Sequence, residues 1–165
     1  SQAGVSGAAL GALSALAAGI NMLGNVGAGR LLARGARPGA LLATGYAAMA
    51  VGGLVAFGAE GHPWAQYGAV LLFSSVGGLI PGTLFGLAVV LAPGQETVST
   101  TVGWMQQWSA IGQFAGPPLV AWVAGAAGGW QWTWVVTGLC ALAGVLLARK
   151  IADAVRCPGV SCQED

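Results

Sequence analysis

Charge is what this chain has least of. Only 7% of its 165 residues are Asp, Glu, Lys or Arg, against about 25% in soluble domains. So few charges do not cover a soluble surface of this size. With 56% hydrophobic residues and a mean hydropathy of +0.74, lipid is the solvent that fits. The five acids, Glu60, Glu96, Asp153, Glu164 and Asp165, lie outside the apolar runs, and the one histidine, His62, stands in a polar break. Intramembrane hydrolases and transferases need a nucleophile with a base, a metal set or paired acids. None is present, so the chain is not expected to be an enzyme, to bind a metal or to need a cofactor. It also lacks a basic stripe, which removes nucleic acid as a partner.

Cysteine is scarce too. Cys140 sits in an apolar run and reads as a small core residue. Cys157 and Cys162 lie in a polar tail, spaced wider than a CxxC pair and with no histidine after them. No Met or signal-peptide pattern precedes the first apolar run, so a fragment or processed chain is expected. No internal repeat stands out.

What the chain has is glycine, 29 residues of it, and five long apolar segments. In lipid, glycine within a helix lets backbones approach closely. The apolar pattern predicts an all-α polytopic membrane bundle of about five spans, at 5–28, 39–58, 64–91, 97–125 and 130–148. Together these make one transmembrane unit, 1–151, with a polar tail at 152–165. In the first segment Gly7, Gly11, Ser14, Ala18, Asn21 and Asn25 recur at helical spacing as one small, polar face. Amides are costly in lipid, so this face should look into protein or a water-filled cavity. The second segment has little polarity and reads as lipid-facing. The loop after it holds Glu60 and His62; His62 reads as a solvated loop histidine, with a pH sensor as the functional alternative.

The third segment carries Gly78, Gly82 and Gly86 four residues apart, and Pro81, which removes a ladder hydrogen bond and predicts a kink. Such a break is tolerated only against protein or water. It serves either packing or a substrate-facing, movable segment. The fourth segment is the most polar: Gln106, Gln107, Ser109 and Gln113, with Trp104 and Trp108 on a neighbouring face and Pro117-Pro118 breaking its outer third. Amides and indoles line small-molecule cavities. They also make interhelical hydrogen bonds, but three glutamines in one span favour a cavity.

The short stretch after the first segment orients everything else. Arg30, Arg34 and Arg37 fall within eight residues there, and the remaining basic residues are Arg149, Lys150 and Arg156. With five spans, all six fall on one side. Lys and Arg are retained in the cytoplasm, which predicts an external N-terminus and an internal C-terminus.

Gly29-Arg-Leu-Leu-Ala-Arg-Gly-Ala-Arg37 resembles the loop motif of major facilitator superfamily transporters, through Gly29, Arg30, Arg34, Gly35 and Arg37, with Ala33 where that family has an acid. Gly77-Gly-Leu-Ile-Pro-Gly82, Gly112-Gln-Phe-Ala-Gly-Pro-Pro118 and Gly128-Gly-Trp-Gln-Trp-Thr-Trp134 resemble its tenth helix, its eleventh and the entry to its twelfth. The resemblance implies the eighth to twelfth helices of a twelve-helix transporter in a plasma membrane, as in the inner membrane of a bacterium, with the second and fifth segments peripheral. Its partners would be the bilayer, a small polar solute or organic anion, and a missing N-terminal half without which the fragment is inactive. Asn21, Asn25, Gln106, Trp108 and Gln113 are the expected solute contacts, and Pro81, Pro117 and Pro118 the conformational points. The alternative is a structural or accessory membrane subunit with no solute path.

Overall fold

The computed structural model describes residues 7–59 and 61–156, with no strand among them. Six helices follow one another: α1 (Gly7–Ala33), α2 (Pro38–Gly58), α3 (Pro63–Gly77), α4 (Leu79–Leu91), α5 (Val98–Ala126) and α6 (Thr133–Arg156). Short 3-10 turns at Gln95–Thr97 and Trp130–Trp132 lead into α5 and α6. α3 and α4 are two parts of one apolar segment interrupted at Gly78. α1, α2, α3–α4 and α6 are each long and apolar enough to cross a membrane. The fold is an all-α membrane bundle.

Contacts between the helices fix their directions. α1 runs parallel to α3–α4. The Tyr67 hydroxyl donates to the Leu13 carbonyl at 2.9 Å, the Ser74 hydroxyl to the Ala17 carbonyl at 2.6 Å, and Gly86 lies under Leu32. α2 runs antiparallel to α3–α4: Gln66 Nε2 donates to the Ala56 carbonyl at 3.1 Å, Gly52 faces Phe73 and Gly45 faces Ile80. α6 runs antiparallel to α2, with Gly53 against Thr137, Gly144 against the Tyr46 ring and Gly39 against Ala152. Arg30, Arg34, Arg37, Arg149 and Lys150 therefore share one end of the bundle. Trp64, Trp130, Trp132 and Trp134 share the other.

These directions decide what α5 does. α4 ends at the arginine end and α6 starts at the tryptophan end, so α5 must cross between them. Its 29 residues carry no charge but are too polar to rank with the four apolar spans. They rise about 43 Å, more than the hydrocarbon core of about 30 Å.

Two helix–glycine–helix units of the chain, α1–α2 and α5–α6, are joined alike and run in opposite directions. α1 stops in a Schellman turn: Gly35 N–H donates to the Leu32 carbonyl and Ala36 N–H to the Leu31 carbonyl, both at 2.9 Å, with Gly35 at φ 86°. α5 stops in the same way, with Gly128 at φ 77° and Gly129 N–H donating to the Ala124 carbonyl at 2.9 Å. Gly35 and Gly128 are 93 residues apart, and so are the last residues of the two helices, Ala33 and Ala126. At that same shift Thr44-Gly45-x-x-Ala48-x-Ala50 in α2 matches Thr137-Gly138-x-x-Ala141-x-Ala143 in α6. The matched helices run in opposite directions across the bundle. This likeness escapes a reading for composition because small residues are common throughout the chain. Its signal is the Thr-Gly pair at a fixed distance after a helix-ending glycine. A Cβ in the left-handed region costs about 1–2 kcal/mol. Gly35→Ala and Gly128→Ala are each expected to lower stability by about that amount, additively because the sites are at opposite ends. Unfolding in detergent against added dodecyl sulfate measures it.

Several expected bounds shift. α1 continues past 28 to Ala33, so Gly29 and Arg30 belong to its last turn, where Arg30 complements the helix dipole and reaches toward the interface. α6 starts at Thr133 and runs to Arg156, so 152–156 are helical rather than tail. Glu60, Cys157 and Cys162 lie outside the described residues. α2 does not simply face lipid. It packs on α3, α4 and α6, burying Leu41, Leu42, Gly45, Gly52 and Gly53, and only a stripe through Thr44, Ala47, Val51 and Leu54 stays exposed. Low polarity does not separate a lipid contact from a helix contact; the glycines do, because they let another helix come close.

Candidate functional site

Two polar groups lie on the bundle, and they behave differently. The first is the crossing of α1 over the Gly78 interruption. A side chain on Gly24 would strike the Ser75 carbonyl, one on Gly78 the Asn21 carbonyl, and one on Gly82 the Asn25 carbonyl, the last at 2.5 Å. The backbones touch because neither helix has a Cβ there. Pro81 cannot supply the N–H that the Gly77 carbonyl would take, so the ladder is weakest where α1 presses closest. Asn21 ties the two helices together at this point: its Nδ2 donates to the Ser74 carbonyl at 2.8 Å, which also accepts the Gly78 N–H at 3.1 Å, and Ser74 Oγ donates back across to α1. Asn25 is half-buried beside Gly82, and its side chain has no hydrogen-bond partner among the described residues.

The packed stripe of α1 is not quite the expected one. It passes through Leu13, Ala17, Asn21, Gly24, Ala28 and Leu32, while Gly7, Gly11, Ser14 and Ala18 are exposed. At 100° per residue the two stripes differ by roughly 70° and share Asn21. Register with α3–α4 sets the stripe, through Gly24 opposite Ser75 and Gly78.

The second group is on α5. Gln106, Gln107, Trp108, Ser109 and Gln113 are all exposed. Gln113 Nε2 donates to Ser109 Oγ at 3.1 Å one turn back, and Gln106 and Gln107 have no side-chain partner among the described residues. α5 is exposed almost all round: Trp108 by 67%, Phe114 by 85% and Trp122 by 70%. No hydrogen bond joins this group to Asn21 or Asn25 among the described residues. Pro117 and Pro118 do not end α5, which is continuous to Ala126. Two successive prolines remove two ladder bonds, but their fixed φ suits a helix, so α5 runs through them.

Behind α5 a cleft of about 380 Å³ opens toward α2 and α6, lined among others by Tyr46, Met49, Gly116, Val120 and Cys140. Cys140, expected in the core, is exposed on this cleft. A second cleft, of about 450 Å³, lies at the arginine end between α2 and α6.

Among the described residues, one buried polar side-chain atom is left alone. Thr83 is fully buried on α4, and its Oγ1 has no hydrogen-bond partner. An orphaned hydroxyl costs about 1–3 kcal/mol. Thr83→Val keeps the shape and removes the orphan, so it is expected to raise stability by about 1 kcal/mol in the same unfolding titration. A fall of that size would mean that the hydroxyl has a partner.

Asn21, Asn25 and the α5 amides are the polar residues that stand out in the sequence; Tyr67, Gln66 and Ser74, which do not, are interhelical donors. Their signal is a polar side chain on a helix with glycine-rich neighbours. No family model matches the chain, and no curated protein or solved structure is significantly similar to it.

Proposed function

We propose that this chain is part of a secondary membrane transporter, moving a small polar solute or organic anion by alternating access. The observation that supports this most is the likeness of two units: α1–Gly35–α2 and α5–Gly128–α6 are joined alike, 93 residues apart, and run in opposite directions. Inverted repeats and interrupted helices recur in transporters, where one repeat rocks against the other around a solute. The resemblance to the second half of a major facilitator superfamily protein points the same way. In this reading the arginine end is cytoplasmic, the membrane is a plasma membrane, and the exposed amides of α5 line the solute path, with Trp108 as an aromatic wall. Asn25 is a further contact. Asn21 acts through packing, since its amide is already engaged.

The likeness also says what is uncovered. α3–α4 packs on both α1 and α2. On this reading its counterpart at the same shift would be a helix that precedes α1 and covers α5 and one face of α6. It would fill the cleft that Cys140 lines. The reading frame upstream of Ser1 tests the proposal first. About seven further hydrophobic spans, with an acid-containing loop motif, are expected. A frame that opens close to Ser1 would favour the structural-subunit alternative. In the full-length protein, uptake into proteoliposomes should fall at least tenfold in Gln106→Leu/Gln113→Leu. Unchanged uptake would remove α5 from the path.

A further inference from the structure

The cleft at the arginine end is a different kind of space from the one behind α5. It lies where the N-terminus of α2 meets the C-terminal part of α6, and Arg37 and Arg149 flank it. Its wall is apolar: Ala40 and Ala43 from α2, Val145 and Ala148 from α6. Gly39 lets Ala152 close the groove, since a Cβ there would sit 2.6 Å from the Ala152 Cβ. The result is an apolar groove along two membrane helices whose mouth holds two cations at the interface. Neither guanidinium has an ion-pair partner among the described residues. Asp153 follows Arg149 by one turn and is exposed, and no ion pair joins them.

The likeness of the two units sharpens the contrast. At the opposite end of the same helix pair, the Trp130–Trp132 turn sits against α2 and puts indoles at the interface. At the arginine end the matching positions are Arg37-Pro38-Gly39, with no aromatic side chain to cover the groove. One end of the α2–α6 pair is closed by the chain. The other is open, apolar inside and cationic at its rim.

We infer that this groove binds an anionic phospholipid, with its phosphate between Arg37 and Arg149 and an acyl chain along Ala40, Ala43, Val145 and Ala148. Charge and shape both select it. A free anion has no use for the apolar wall, and a zwitterionic lipid brings an ammonium to the same two cations. Basic clefts between membrane helices hold anionic head groups in this manner. The assignment does not depend on transport; a structural subunit would hold the lipid equally.

The test uses the protein at its full natural length in dodecyl maltoside, with retained lipid counted by native mass spectrometry. The probes are dioleoyl phosphatidylglycerol, dioleoyl phosphatidylcholine and inorganic phosphate. Phosphatidylglycerol should be retained at least tenfold more strongly than phosphatidylcholine. Each basic residue near an anionic surface contributes about fivefold in affinity, so Arg37→Gln/Arg149→Gln should weaken retention about 25-fold. Arg30→Gln/Arg34→Gln removes the same charge from the same end outside the cleft and should change it less than threefold. Ala43→Phe fills the groove and should abolish retention with both arginines in place. Equal losses in the two arginine pairs would mean diffuse attraction and overturn the site. So would competition by millimolar phosphate, or retention that survives Ala43→Phe. All four arginines and Asp153 are exposed, so folding of the arginine variants is read from an unchanged far-ultraviolet dichroism spectrum.

Discussion

Gly78→Leu is expected to unfold the α1 crossing, lowering stability by more than about 3 kcal/mol. That figure sits at the upper end of overpacking costs because of what the new side chain would meet. Its Cβ would lie on the Asn21 carbonyl, the Asn25 nitrogen and the Gly24 carbonyl carbon, all of them backbone. No rotamer change relieves a clash with main chain. Only separation of the helices does, and that also breaks the Asn21–Ser74 and Ser74–Ala17 hydrogen bonds, which span the same crossing. Against a total of about 5–15 kcal/mol for a folded domain, the loss is decisive. The comparison is Gly112→Leu on α5, where a Cβ would meet nothing within 4 Å. That variant should stay within about 0.5 kcal/mol of the parent, or gain slightly from helix propensity. Folded fractions across a dodecyl sulfate titration separate the two. Equal behaviour of both would mean that α1 and α3–α4 do not approach as closely as their glycines allow.

That contrast also shows how much of the fold is legible in the residues. Helices are written plainly, because a run without charge has few other states in lipid. Which glycine matters is not written. Gly24, Gly78 and Gly112 look alike in sequence, yet two carry a helix crossing and one faces open space. Contact depends on the register between α1 and α3–α4, a property of two segments 54 positions apart at Tyr67 and Leu13. The face of α1 is misjudged for the same reason: Ser14 shares helical phase with Asn21, but the crossing sits further along. The α5 amides are the opposite case. Gln106 and Gln113 are conspicuous because an amide is costly in lipid, and they are found at once. What they face is not written in any local pattern, since α5 is largely exposed and makes little contact with the other helices among the described residues. Gly35 and Gly128 fall between these extremes. Each can be read as a helix stop, but only together do they show that two oppositely directed helix pairs are joined alike.

The arginine end yields the other large effect, in topology. α2 and α6 are antiparallel, so Arg30, Arg34, Arg37, Arg149 and Lys150 emerge together, and Arg156 continues α6 beyond them. Carrying one charge across a membrane against 100 mV costs about 2.3 kcal/mol, so six amount to roughly 14 kcal/mol against the inverted orientation. Packing energy cannot compete, because the bundle is the same object either way up. A C-terminal fluorescent-protein fusion is therefore expected to be bright, and a C-terminal alkaline phosphatase fusion inactive. Replacing all six basic residues by Gln and introducing Glu60→Lys with His62→Lys moves the positive charge to the loop between α2 and α3. Phosphatase activity should then rise at least tenfold and fluorescence fall. Arg30, Arg34, Arg37, Arg149 and Lys150 are all exposed, so an orientation that persists would show that something other than this loop charge, such as a preceding segment, fixes the direction of α1.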